Sequence, residues 1–355
     1  MKILRTILFV FNALVALGLV LTTLAGAVAP SKSILPSLLA FGYVPMLLVN
    51  VLMILIWVLL RRWEVLLSMA AIGARWLMVP LMLQVGGNSK MPPAEEHPYM
   101  VSLMTYNVHQ FKGNGKDTVD ADSIARCFVG LIRTEAPDVL CLQEYAAVRH
   151  VSVTDSLVLM GYNHYYSAHT SKAGMPYGTV VFSKLPITFV KKLDAEKVLV
   201  EVVRDGKRLR VVCLHMDSYR FDDSDMKAVE RMGRGEVQEK DRSTVHKINE
   251  TILSHEEEWV KTISPVVSEN TVPTIMAGDL NDIPWSWLYH QITRQMTDTY
   301  TEQGNGLGTT WDGGPYAVRI DMVFRSEGLR TLSYKRIKTP LSDHYPVMVA
   351  VEFEI

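Results

Sequence analysis

A chain of 355 residues has room for one large domain or two smaller ones. It is 48% hydrophobic, with a mean hydropathy of +0.13 and a formal charge of −1. That apolar share is high for a wholly soluble enzyme, and the charge argues against a surface built to grip a nucleic-acid backbone.

The near-zero total conceals a split. Residues 1–87 contain Lys2, Arg5, Lys32, Arg61, Arg62 and Arg75 as their only basic residues and Glu64 as their only acid, so the remainder of the chain carries a balance of about −6. Cys127, Cys141 and Cys213 are too few and too widely spaced for a disulfide framework or a cysteine metal site. Cys141 and Cys213 lie inside apolar runs, where a small buried residue is expected.

Three apolar runs open the chain, at 7–29, 34–60 and 65–85. Each reaches the roughly 20 residues that a helix needs to cross a bilayer. A cleaved signal peptide is the competing reading of the first run, and the second long run disfavours it. Pro30-Ser31-Lys32-Ser33 joins the first two as a hairpin. Lys2 and Arg5 before it and Arg61-Arg62 after it place both ends of that hairpin in the cytoplasm. The third run holds Arg75 at mid-span and Pro80. A central Arg costs roughly 2.5–3.5 kcal/mol on insertion, which about ten apolar neighbours offset. The expectation is therefore a transmembrane region at 1–87 with three helices, in the inner (cytoplasmic) membrane, with the C-terminal domain extracytoplasmic. If 65–85 only lies on the surface, that domain stays inside. Residues 88–98, in the Gly- and Pro-rich stretch from Gly86 to Pro98, read as a linker.

From residue 99 the pattern changes to short β-rich runs separated by turns and helices. Strands are expected at 101–108, 139–142, 179–183, 198–203, 208–215, 274–277, 320–324 and 347–353. A helix is expected at 120–135, with Ile124, Phe128, Leu131 and Ile132 on one side, and a long charged helical region at 237–267. The pattern suggests an α/β domain of two packed sheets covered by helices over 99–355.

Polar residues collect where the strands end. Asn107, Glu144 and His215 follow apolar strands, Asp279 and Asn281 follow another, and Asp343-His344 precedes the last. Singly, such residues are more often turn formers. Gathered on an apolar scaffold, they offer oxygen ligands to a hard cation and neutral donors to an anion.

The ordered segments Met104-Thr105-Tyr106-Asn107-Val108, Leu142-Gln143-Glu144, Gly178 to Ile187, Cys213-Leu214-His215, Gly278-Asp279-Leu280-Asn281, Arg319-Ile320-Asp321 and Leu341 to Val347 resemble the signature of the endonuclease/exonuclease/phosphatase superfamily. The resemblance spans roughly 101–353. It implies a four-layer α/β sandwich, two mixed sheets flanked by helices, with the site at one edge. It further implies Mg²⁺ or Mn²⁺ held chiefly by Glu144 with Asn107 close by and Asp343 as a further carboxylate. By the same resemblance Asp279 activates water, Asn281 places the phosphate, and His215 and His344 donate to its oxygens, with Asp321 keeping His344 protonated. Independent chemistry agrees, because an anionic phosphodiester repels nucleophiles and its cleavage needs a cation and donors where charge builds. The abasic-site endonuclease branch has an acid two residues after the first Asn, and here that place is His109.

The expected activity is metal-dependent hydrolysis of a phosphoester by an enzyme at the membrane lipid bilayer, on a lipid headgroup or small diester. An extracytoplasmic nuclease is the alternative, and a non-catalytic binding module on the same fold is a second one. No protein partner is inferred. His246 and His255 read as a solvated helix face, and Trp285 and Trp287 read as packing residues or as a substrate rim.

Overall fold

The computed structural model describes residues 2–114, 119–170, 176–236, 238–269, 271–313 and 317–354. The chain forms two compact units, Met1–Leu81 with Tyr219–Glu257 and Ile283–Gln291, and Met82–Ser218 with Glu258–Asp282 and Ile292–Ile355. The first unit thus joins the apolar N-terminal region to two stretches from beyond residue 99.

In that first unit the helices are α1 (Lys2–Leu21), α2 (Leu24–Ala27), α3 (Leu35–Phe41), α4 (Tyr43–Leu59) and α5 (Val65–Ala74). Together α1 and α2 make a 26-residue apolar segment long enough to cross a membrane. The second expected span is two helices, α3 and α4, bent by 58°. The third is not one helix: α5 ends at Ala74, and Trp76–Leu81 continues as a 3₁₀ turn around Pro80, which has no N–H to offer a helix.

The helices bury polar residues among apolar ones and turn large apolar residues outward. Asn12, Ala16 and Leu19 form the buried stripe of α1, Tyr43, Asn50, Met53 and Trp57 that of α4, and Ser68 and Ala71 that of α5. Leu4, Leu14, Leu48, Leu55, Leu66 and Met69 face outward. Cross-links fix the order of levels along the unit. Arg5 pairs with Glu64 at one end, Ser68 Oγ donates to Asn12 Oδ1 at 2.6 Å further in, and the Arg75 guanidinium lies over the Tyr43 ring. Beyond Tyr43, Trp285 Nε1 donates to Ala40 O at 2.7 Å, and Ser31 N and Oγ each reach the Glu256 carboxylate at 2.7 Å.

The expected long helix at 237–267 begins at Val237, outside the described residues. Beyond it the region is divided into a helix over Arg242–Glu258, a π turn over Trp259–Ile263 and a short helix over Ser264–Val267. Pro265 explains the break, since it cannot donate to the carbonyl four residues back. His255 is buried beside Tyr219, with ring centroids 6.0 Å apart, and so is not part of a solvated face, whereas His246 is exposed and pairs with Glu250. Trp285 and Trp287 are buried, as packing residues are.

The second unit holds the strands: β1 (Leu83–Gln84), β2 (Met100–Asn107), β3 (Val139–Tyr145), β4 (His164–Thr170), β5 (Pro176–Ser183), β6 (Ile187–Lys192), β7 (Lys197–Arg204), β8 (Lys207–His215), β9 (Thr274–Asp279), β10 (Thr297–Asp298), β11 (Gly306–Leu307), β12 (Asp321–Arg325), β13 (Leu329–Arg336) and β14 (Val347–Phe353). They build two mixed six-stranded sheets, ordered β13-β14-β2-β3-β5-β4 and β10-β12-β9-β8-β7-β6. Each sheet has one parallel pair, β2–β3 and β8–β9. A parallel pair needs a crossover, and α6 (Ala121–Glu135) supplies the first. Asp120 caps α6 by accepting from Asp122 N, and Ala136 in the left-handed region ends it.

Alternation decides what the sheets bury. Val101, Leu103, Val139, Cys141, Val211, Cys213, Ile275, Ala277, Val323 and Val349 form the core between the sheets. Met104, Tyr106, Leu140, Leu142 and Phe182 face the other way and pack with Ile124, Phe128 and Ile132 of α6. The expected linker is tied down: β1 pairs with β11, Asn88 bonds Gln303 and Leu332, and His97 Nδ1 lies 3.0 Å from Glu352.

Candidate active site

The same alternation that builds the core aims the polar residues. Asn107 continues the Val101, Leu103, Thr105 face of β2, His215 the Val211, Cys213 face of β8, and Asp279 the Ile275, Ala277 face of β9. Asp321 shares its face of β12 with Val323. His215 pairs with Asp279 and Asp279 with Asp321 across adjacent strands, which places three functional groups in a row at one sheet edge. Gly278 makes that row possible, because a Cβ there would meet the Leu214 backbone.

Glu144 arrives differently. By alternation it belongs with Leu140 and Leu142, facing α6. It has φ +50°, and the β3–β5 register shifts between Leu142 and Tyr145. The extra residue returns Tyr145 to the α6 side and leaves Glu144 beside Asn107.

Asn107 is the hinge of the cluster. Its Nδ2 donates to Glu144 Oε1 at 3.1 Å and to Asp279 Oδ2 at 3.0 Å, while its Oδ1 accepts from His109 N at 3.0 Å. Asp279 Oδ1 accepts from Asn281 N at 2.8 Å, and Asn281 Nδ2 donates to Met216 O at 3.0 Å with φ +47°. His344 Nδ1 lies 2.8 Å from Asp321 Oδ2. His344 Nε2 and His215 Nε2 approach Asp279 Oδ2 at 3.7 and 3.8 Å from two directions. Ser342 Oγ donates to Asn107 O at 2.8 Å and ties the loop carrying Asp343 to β2.

Electrostatics divide the roles. Burial alone would strip His344 of its proton, but Asp321 and Asp279 outweigh it and raise its pKa to about 10. Burial pushes Asp321 upward, against the pull of His344 and with a further push from Asp279. The outcome is an imidazolium whose Nε2–H points at the shared space beside Asp279.

All eight residues singled out in the sequence lie in this one region: Asn107, Glu144, His215, Asp279, Asn281, Asp321, Asp343 and His344. Others emerge only from the structure. Glu196, before β7, sets its carboxylate 3.9 Å from His215 Nδ1 and accepts from Thr179 Oγ1 at 3.1 Å. Trp311 Nε1 donates to Asp343 Oδ2 at 3.0 Å, and Thr310 Oγ1 accepts from Asp321 N at 3.0 Å. No spacing in the sequence marks them. His109 Nδ1 stands 3.2 Å from Asp343 Oδ1, within a turn in which His109, Gln110 and Phe111 all have φ between 46° and 58°. Three successive left-handed residues are strained. Burial of Phe111 against Phe128 and Tyr145 holds them there.

Two sets of donors suit a divalent cation. Glu144 and Asp343 carry hard carboxylate oxygens, while Asn107 turns its Nδ2 toward Glu144 and its Oδ1 toward His109 N. Asp279, Asp321 and His344 place one ligand atom each within 4.8 Å of one another, and Asp321 Oδ1 is buried without a partner. The oxygen-rich chemistry fits a divalent metal.

The family model described as endonuclease/exonuclease/phosphatase family matches residues 104–344, and one described as a domain of unknown function (DUF8431) matches residues 5–81. Similar solved structures include an endonuclease/exonuclease/phosphatase from Bacteroides vulgatus, at 17% identity and TM-score 0.49, covering 72% of this chain and 99% of that one. Another is a family protein from Leptotrichia buccalis, at 16% identity and TM-score 0.48, covering 71% and 100%. A third is the human Nocturnin catalytic domain with bound sulfate, at 16% identity and TM-score 0.48, covering 75% and 100%. No protein with a curated description matches this chain in sequence. With the model matched over more than half its length and across the segments that build the site, the chain belongs to the endonuclease/exonuclease/phosphatase family.

Proposed function

We propose that this protein is a membrane-held, Mg²⁺- or Mn²⁺-dependent phosphodiesterase acting on a lipid headgroup or another small phosphodiester. The observation that carries the hydrolase reading is the convergence of Asp279, His215 and His344 on one space, with Asn107 Nδ2 bridging Asp279 to Glu144. Glu144, with Asn107 and Asp343 beside it, would hold the cation, which would supply charge neutralisation at a phosphate oxygen. Glu144, Asn107 and Asp343 are preferred as its ligands because His344, held as an imidazolium, has no lone pair to give at Nε2. Asp279 takes the proton of the attacking water. Its Oδ1 is committed to Asn281 N, and its Oδ2 faces the two imidazoles. His344 Nε2–H, oriented by Asp321, donates to a phosphate oxygen as negative charge builds there, the new P–O bond forms as the bond to the leaving alcohol breaks, and that alcohol's oxygen takes a proton from solvent. His215 donates from the opposite side, and Asn281 orients the phosphate.

The membrane reading rests on the inverted polarity of the first unit, with Asn12, Asn50 and Ser68 inside and leucines outside. Side chains of that kind facing outward are stable in lipid and costly in water. The reading takes Lys2–Ala27 as one crossing, the bent pair α3–α4 as a second, and the shorter α5 with the turn after it as a third. The ten residues of α5 and the six of the following 3₁₀ turn together rise about 27 Å, close to a bilayer core of about 30 Å. With Lys2, Arg5, Arg61 and Arg62 cytoplasmic, the chain after Leu81 lies outside.

A small or lipid substrate is favoured over nucleic acid because a candidate basic patch, Lys191 and Lys192 with Arg204, Lys207, Arg208 and Arg210, is in part neutralised. Arg210 pairs with Glu201 and Glu269, Arg208 pairs with Glu201, and Lys207 lies over the Tyr99 and Phe353 rings. A polyanion finds less free charge there than six basic residues would offer. The test is direct competition between micellar phospholipids, small diesters and DNA at equal phosphoester concentration in low and moderate salt. Faster cleavage of DNA, lost steeply as salt is added, would assign the protein to nucleic acid instead.

A further inference from the structure

Buried in the first unit is a cation that nothing described in the protein neutralises. Arg75, at the C-terminal end of α5, is 5% exposed. Its guanidinium carbon lies 5.5 Å from the centroid of the Tyr43 ring, and its Nε and Nη2 are enclosed with no hydrogen-bond partner. Tyr43 is fully buried, and its hydroxyl has no partner either. Among the described residues no carboxylate pairs with Arg75. Glu64, the one acid of residues 1–87, is already engaged by Arg5 at the far end of α5. A fork of guanidinium donors and a phenol, both idle and both shielded, is costly unless an anion completes it.

We propose that Arg75 and Tyr43 form a binding site for the phosphate of an anionic phospholipid. The Nε and Nη2 edge of the enclosed guanidinium is the planar fork that suits phosphate oxygens, and the buried Tyr43 hydroxyl is a further donor without a partner. A lipid fits better than a soluble anion, because the turn after Arg75 exposes Trp76 and the neighbouring outward face of α5 carries Leu66 and Met69. The same ligand thus satisfies charge inside and apolar surface outside. Tyr43 also packs on Trp285, with ring centroids 4.9 Å apart. Occupancy therefore stabilises the Ile283–Gln291 stretch of the same unit.

This site rests on the membrane reading of the first unit, and one experiment separates the two. The full chain is reconstituted in nanodiscs of phosphatidylcholine alone or of an equimolar phosphatidylcholine–phosphatidylglycerol mixture. Retained lipid is read by native mass spectrometry, and the melting midpoint is measured beside it. The expected result is preferential retention of phosphatidylglycerol and a higher midpoint in the mixture. Arg75→Gln should lose that preference by at least about tenfold, the scale of one charge-assisted hydrogen bond. Tyr43→Phe, which keeps the ring and hence the packing, should lose part of it, so the test survives poor folding of the Arg75 variant. Equal retention of both lipids by the wild type, or an unchanged preference in both variants, overturns the site while leaving the membrane reading intact. An equal rise in midpoint from inorganic phosphate in phosphatidylcholine discs also overturns it, in favour of a soluble anion. Failure of the chain to enter either disc overturns the membrane reading and the site together.

Discussion

Gly278→Ala tests the site's geometry without touching any reacting group. Gly278 has φ +154° and faces Leu214 across the parallel β8–β9 pair. A Cβ there would lie 2.8 Å from the Leu214 carbonyl carbon and 3.1 Å from its nitrogen, with the carbonyl oxygen nearer still. Carbon atoms pack at about 3.5–4.0 Å, so the strands must part by about 1 Å. The next pair along is His215 and Asp279, and the displacement falls on them. A shift of about 1 Å in reacting groups costs roughly 10²-fold in rate, or about 2.7 kcal/mol of barrier. The assay is initial-rate hydrolysis of a small phosphodiester at saturating metal, with circular dichroism to confirm folding. Gly206→Ala is the control, since Gly206 also has positive φ but a Cβ there would meet nothing within 4 Å. It should cost about 1–2 kcal/mol of stability through backbone strain and leave turnover alone. Wild-type turnover in a folded Gly278→Ala protein would refute the idea that the β8–β9 spacing sets the catalytic geometry.

Three further outcomes are expected. Chelator should abolish hydrolysis, and Mg²⁺ or Mn²⁺ should restore it. Glu144→Ala should need a higher metal concentration for half-maximal rate, read by metal titration, whereas full activity in chelator would exclude the metal. Because His344 is active as the imidazolium and its pKa is raised to about 10, its contribution should persist through neutral pH and be lost only as pH rises through that value. Asp321→Asn removes the largest charge favouring the proton and leaves the burial that opposes it, so the alkaline limb of the kcat profile should move down by several pH units toward or below the usual histidine value of about 6.5. An unmoved limb would show that another group carries it. Finally, a cysteine placed at Asn88 should react with an impermeant thiol reagent in intact cells, and labelling only after lysis would show that α5 and the turn after it do not cross.

What the sequence by itself determined was periodic or local. Short β-rich runs at 101–108, 208–215 and 274–277 identified strands, and the polar residues Asn107, His215 and Asp279 at or just beyond their ends marked the site. The amphipathic stripe of Ile124, Phe128 and Ile132 and the Asp120 cap marked α6 to within a residue. Apolar run length marked the N-terminal helices but not their interruptions. The bend at Gly42 left no mark in run length, and the 3₁₀ turn at Trp76 follows from Pro80, a local signal that run length passes over. Strands with weak alternation went unread: β6 is an exposed edge, and β13 interleaves Arg330, Lys335 and Arg336 with its apolar residues. Only the tertiary structure decided which distant residues meet. Glu144 reaches the site through a left-handed residue at a register shift, which simple alternation assigns to the wrong face. Glu196 and Trp311 stand behind His215 and Asp343 from loops with no motif. His255, Trp285 and Arg75 are defined by what encloses them. Period and propensity are properties of neighbours along the chain, whereas desolvation, shifted protonation and an unpaired buried charge arise only when segments far apart in sequence close around the same volume.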